Sequence, residues 1–101
     1  MITNSDSVLY FKALADETRL NIISILSEES LCACDILEQF DFTQPTLSYH
    51  MKILVEVGIV NSSKDGNWTR YTLNYEILSA LGEWIKAIPN AVEKKETDSV
   101  C

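Results

Sequence analysis

Residues 43–54, Thr-Gln-Pro-Thr-Leu-Ser-Tyr-His-Met-Lys-Ile-Leu, constrain the fold more than any other stretch of the chain. Thr43 is a helix N-cap, and a proline in the first turn, here Pro45, needs no intrahelical donor. Leu47, Met51 and Leu54 recur on one helical face, which must be buried. Gln44, Thr46, Ser48, Tyr49 and Lys52 fall largely outside that face. The result is a helix held by a core and showing a polar surface. Gly58 ends it.

The rest of the chain supplies that core. Val8, Tyr10, Phe11 and Leu14 mark a short first helix. Asp16 caps a second, in which Leu20, Ile22, Ile23, Ile25 and Leu26 follow at helical spacing. Residues 35–40 read as a third helix, and residues 41–43 as the turn into the fourth. Residues 59–73 hold two strand-like runs flanking Asp65-Gly66, a hairpin turn signal. Asn74 caps a last helix with an apolar stripe of Ile77, Leu78, Leu81, Trp84, Ile85 and Ile88, and Pro89 ends it. Residues 1–89 form one domain, and residues 90–101 a polar, mobile tail. This order predicts a mainly α fold with a β-hairpin, a winged helix-turn-helix. A chain of 101 residues makes a modest core, so the apolar stripes of the first and last helices predict a homodimer seam.

Composition excludes several classes. At 47% hydrophobic and 23% charged, the chain is neither disordered nor fibrous. No apolar run approaches the ~20 residues that cross a membrane, so the expectation is a cytoplasmic protein without a membrane partner. No nucleophile elbow, phosphate loop or His–carboxylate pair suggests an enzyme. The net charge of −7 argues against strong non-specific nucleic-acid binding. Yet residues 42–73, with Lys52, Lys64 and Arg70 against Glu56 and Asp65, are the one segment where basic groups outnumber acidic ones. Local sign at a contact face governs phosphate binding more than the total does. The fold therefore assigns double-stranded DNA to the fourth helix and the wing. Gln44, Thr46, Ser48, Tyr49, His50 and Lys52 are the candidate readers, and Lys64, Asn67 and Arg70 the wing contacts. His50 lies at the edge of the apolar face and also fits a structural role or a metal ligand.

Three cysteines do not make a disulfide framework. In a reducing compartment, Cys32 and Cys34 in Cys-x-Cys spacing suggest a metal-binding or redox-active pair. Their alternation with Leu31, Ala33 and Ile36 equally fits small buried residues.

Four blocks carry a family resemblance: residues 14–20 (Leu-Ala-Asp-Glu-Thr-Arg-Leu), 31–37 (Leu-Cys-Ala-Cys-Asp-Ile-Leu), 44–54, and 65–71 (Asp-Gly-Asn-Trp-Thr-Arg-Tyr). In this order and spacing the chain resembles the ArsR/SmtB family of metal-responsive repressors over nearly its whole length. The Cys-x-Cys block is most similar to that of the arsenical-resistance repressors. The resemblance implies a homodimer on operator DNA, released when trivalent arsenic or antimony, acting as inducer, binds Cys32 and Cys34. It also leaves a redox-sensing or cadmium-type repressor using the same cysteines as alternatives. The best-known arsenical pattern has a third cysteine where this chain has Leu37. The family's last-helix sites need histidine, and the chain's only one is His50. Residues 1–31 hold no cysteine for a cadmium-type site. Cys101 is either a frayed terminus or the third thiolate, since a dozen residues span up to ~40 Å. A small thiol or water is the other candidate.

Residues two apart on an α-helix point about 200° away from each other. One ion can reach both sulfurs only if the start of the third helix is extended or distorted. Binding is then expected to strain its first turn. A winged-helix module that binds protein instead of DNA is the competing function, favoured by the acidic charge and opposed by the polar face of Ser48, Tyr49 and Lys52.

Overall fold

The computed structural model describes residues 2–96, with the side chains of 2–64 and 66–89. The elements are α1 (Asn4–Leu14), α2 (Glu17–Leu26), β1 (Leu31–Cys32), α3 (Ala33–Gln39), α4 (Gln44–Glu56), β2 (Val60–Asp65), β3 (Trp68–Leu73) and α5 (Tyr75–Glu96). This is the expected winged helix-turn-helix, with a three-stranded sheet in the order β1-β3-β2.

Caps set the helix starts. Thr3 and Asp6 form a capping box at α1, so that helix begins earlier than its apolar residues indicate. Asp16 accepts from the Arg19 N–H at α2, and Thr43 from the Thr46 N–H at α4. α2 and α3 pack against α4. Ile22, Leu26, Ile36, Leu47, Met51 and Leu54 meet there, all essentially without solvent contact.

α4 stops in a Schellman motif. The Gly58 N–H donates to the Val55 carbonyl at 3.0 Å and the Ile59 N–H to the Leu54 carbonyl at 3.1 Å. Gly58 has φ +84°, and a Cβ there would meet Ile77 Cδ1 at 3.0 Å. The motif turns the chain directly into Ile59 and Val60, both buried, so it aims the wing relative to α4.

Four boundaries differ from the sequence reading. The two-residue strand β1 was not anticipated, and α3 starts at Ala33, because Cys32 is its cap. The hairpin loop is Gly66-Asn67, with Asp65 paired to Trp68. Gly66 has φ +65° and no other residue in the loop does, as a type II′ turn requires. Finally, α5 continues through Pro89 to Glu96. Proline removes one helical hydrogen bond, but residues 91–96 are mostly strong helix formers that carry the helix on.

α1 and α5 touch through an edge-to-face contact of Phe11 and Trp84, with ring centroids 5.7 Å apart. Val8, Leu9, Ile85 and Ile88 on the same two helices stay exposed.

Gly58→Ala forces a left-handed residue with a side chain against Ile77. It is expected to cost about 1–3 kcal/mol. A chemical denaturation midpoint that matches the parent would contradict this account of the α4–wing junction.

Candidate metal centre and nucleic-acid interface

The local backbone at residues 31–35 decides what the two cysteines can do. Cys32 has φ −83° and ψ 161°, an extended conformation, because it belongs to β1 and pairs with Arg70 of β3. It is also the N-cap of α3. Cys34 is the second residue of that helix. The extended cap brings the Cys32 sulfur over the first turn, where it lies 2.7 Å from the Cys34 sulfur. The expected condition for a shared ion, an extended helix start, is therefore present in the fold itself. Cys32 is buried and Cys34 half-buried.

Asp35 completes the cluster. Its Oδ2 accepts from the Cys32 thiol at 3.1 Å and from the Cys32 N–H at 3.4 Å. The ligand atoms of Cys32, Cys34 and Asp35 lie within 4.8 Å of one another, the only such group among the described residues. The sequence reading missed Asp35. Its signal was a carboxylate three residues after a capping position, the spacing of a capping box. The Cys34 thiol is pushed above the usual cysteine value by its hydrogen bond to Cys32, then by burial and by the nearby Cys32 and Asp35 charges. A soft cation held here would displace the thiol protons, so its affinity would rise with pH, whereas a metalloid hydroxide would carry them away as water. Leu37, at the position of a third thiolate, packs on the core. Cys101 lies outside the described residues.

α4 presents its polar face as expected. Gln44, Thr46, Ser48, Tyr49 and Lys52 are exposed, and Lys52 reaches Glu56 at 4.0 Å. His50 is different. It is turned inward, and its Nδ1 accepts from Arg19 Nη1 at 3.1 Å. Arg19 Nε also donates to the Ala13 carbonyl at 2.6 Å. Arginine has no acceptor, so the His50 proton sits on Nε2. Arg19 and His50 thus tie the end of α1 to α4. Asp16, 3.9 Å from His50, is held below the usual carboxylate range mainly by the Arg19 N–H.

Lys64 and Asn67 are exposed near the hairpin tip. Arg70 is half-buried, and its Nη1 donates to the Ser30 carbonyl at 3.4 Å and hydroxyl at 3.3 Å. It faces the cysteine segment.

A dithiol-bridging reagent such as phenylarsine oxide is expected to bind one per chain and to protect both Cys32 and Cys34 from alkylation. Mass spectrometry of Cys34→Ser should show that protection gone. Equal protection in the variant would contradict a paired site.

A family model for the bacterial regulatory protein, arsR family, matches residues 16–62. An arsenical resistance operon repressor from Staphylococcus xylosus is 50% identical over 72 residues, covering 71% of this chain and 69% of the relative. Another from Staphylococcus aureus is 55% identical over 67 residues, covering 66% and 64%. Among solved structures, an ArsR-like transcriptional regulator from Rhodococcus sp. RHA1 superposes with a TM-score of 0.84 at 22% identity, covering 93% of this chain and 89% of that one. The chain belongs to the ArsR family of transcriptional regulators.

Proposed function

We propose that this protein is a metalloid-responsive repressor, which binds operator DNA as a homodimer and leaves it when trivalent arsenic or antimony bridges Cys32 and Cys34. The observation that carries this reading is the pair of sulfurs 2.7 Å apart at the start of a helix packed on the reader helix. Support also comes from the names of the Staphylococcus relatives, which are arsenical resistance operon repressors.

Soft thiolates select soft ions. Trivalent arsenic prefers three donors in a pyramid. Asp35 Oδ2, 3.1 Å from the Cys32 sulfur, is the third donor within reach. Cys101 or a cellular thiol would supply a sulfur in its place. Both sulfurs already share one side of the α3 start, so binding needs no unwinding of the helix to bring them together. What changes is the cap. Each sulfur–arsenic bond replaces an arsenic hydroxide, which leaves as water with the thiol proton; Cys32 thereby loses the S–H that donates to Asp35, and α3 is re-seated against α4 and β3.

On DNA, Gln44, Thr46, Ser48 and Tyr49 read base edges in the major groove, and Lys52, Lys64 and Asn67 touch the backbone. The exposed apolar face of α1 and α5, with Val8, Leu9, Ile85 and Ile88, is the seam between two copies. A twofold dimer spaces its reader helices for half-sites about 34–36 Å apart. The setting is the cytoplasm, where thiols stay reduced. A second reading, a redox sensor, is favoured by the same sulfur proximity. Ion titration under strong reductant separates them, because only the metalloid sensor still lets go of DNA.

The deciding experiment is operator binding with arsenite, antimonite, bismuth and cadmium, on the parent and on Cys34→Ser. The variant is expected to bind DNA normally and to ignore arsenite. Release of both alike would refute the site. For the reader face, Ser48→Ala with Tyr49→Ala is expected to lose operator selectivity, at about 1–3 kcal/mol for each specific contact removed. Unchanged selectivity in a binding competition would remove α4 from base readout.

A further inference from the structure

The strand absent from the sequence reading supplies a second route between the sulfur pair and the DNA-reading surface. β1 pairs antiparallel with β3, with Leu31 opposite Tyr71 and Cys32 opposite Arg70. The Arg70 guanidinium then reaches past this ladder to Ser30, bonding both its carbonyl and its hydroxyl. Residues 30, 31 and 32 are therefore all fastened to one strand. β3 is also the middle strand of the sheet. On its other edge Ser62 faces Tyr71 and Ser63 faces Arg70, so β3 carries the wing. Tyr71 further lines a shallow groove with Ser48, Met51, Lys52 and Val55 of the reader helix. A displacement at Cys32 reaches β3 through one residue pair.

We propose that Arg70 is a positioning residue that couples the ion site to the wing, in place of the phosphate contact its charge suggests. This rests on the repressor reading above. The geometry supports it in three ways. Arg70 is half-buried and turned toward Ser30, whereas Lys64 and Asn67 are exposed near the hairpin tip. Both bonds to Ser30 come from one nitrogen, Nη1, which lies one bond further from the backbone than a lysine ammonium, so a lysine does not span the same gap. And β1 is only two residues long, so the bonds from Arg70 to Ser30 extend its fastening to β3 by one residue. When an ion bonds to both sulfurs, which lie 2.7 Å apart without it, they must separate to admit it, and the cap backbone moves. The tie from Arg70 Nη1 to Ser30 makes β3 follow, and the wing shifts relative to α4. A coupling that works through such an element is measured by the ratio of operator affinities without and with ion.

The test compares the parent, Arg70→Met and Arg70→Lys. Three quantities are read: operator affinity over a range of salt without ion, arsenite stoichiometry from cysteine protection, and operator affinity with arsenite. In the parent, arsenite is expected to weaken operator binding by about 5–150-fold. Arg70→Met should keep the ion-free affinity and its salt dependence, and keep one arsenite per chain, while the arsenite effect collapses. Arg70→Lys should also lose most of the effect despite its charge. Amide exchange at residues 69–73 should quicken on arsenite binding in the parent and not in Arg70→Met. The proposal is overturned if Arg70→Met loses affinity on all DNA sequences with a salt slope lower by about 1, the sign of a lost phosphate contact. It is equally overturned if the variant retains the full arsenite effect. If the parent itself holds DNA in arsenite while binding it at the cysteines, the repressor reading fails first, and this inference with it.

Discussion

The extended backbone of Cys32 is the constraint on which the rest depends. Two residues of strand, Leu31 and Cys32, are enough to hold it, because β3 supplies the partner groups and α3 begins immediately afterwards. A cysteine in the same place but inside a helix would point away from Cys34. As an N-cap it points back over the first turn, and a dithiol results. The same residue is thus a strand end, a helix cap and, under the proposed function, a ligand. A change in its ligand state acts on all three.

Electrostatics fits a surface that reads DNA without clinging to it. The chain is acidic overall, but Asp16 serves a helix start, where negative charge meets unsatisfied N–H groups. Asp6, at the start of α1, is held below its usual value mainly by the Thr3 N–H, and the same logic applies. The exposed face of α4 is mostly neutral and polar. Under the proposed function, binding leans on base edges more than on phosphates and is weakly held on random DNA, so a modest loss at the wing would suffice for release. Arg19 adds rigidity behind this face by joining the Ala13 carbonyl to His50.

Much of this was legible in the sequence. Thr43, the Leu47–Met51–Leu54 spacing and Gly58 located α4, since capping, amphipathicity and a left-handed glycine are local properties. Both cysteines were visible as a pair for the same reason. What was not legible depends on distant partners. A two-residue strand has no periodicity, so β1 becomes visible only once β3 lies beside it. The inward turn of His50 depends on Arg19, 31 residues away in the chain. The tie from Arg70 to Ser30 spans 40 residues and has no local signal. Asp35 carried a local signal, a capping-box spacing, but one written for serine or threonine and here built on cysteine.

The central claim is that one metalloid ion sits between the sulfurs of Cys32 and Cys34 at the start of α3. X-ray absorption at the arsenic edge of the loaded protein, prepared without added thiol, tests it most directly. A shell of two sulfurs and one oxygen around arsenic is expected. A spectrum with oxygen neighbours alone, as for free arsenite, would contradict it.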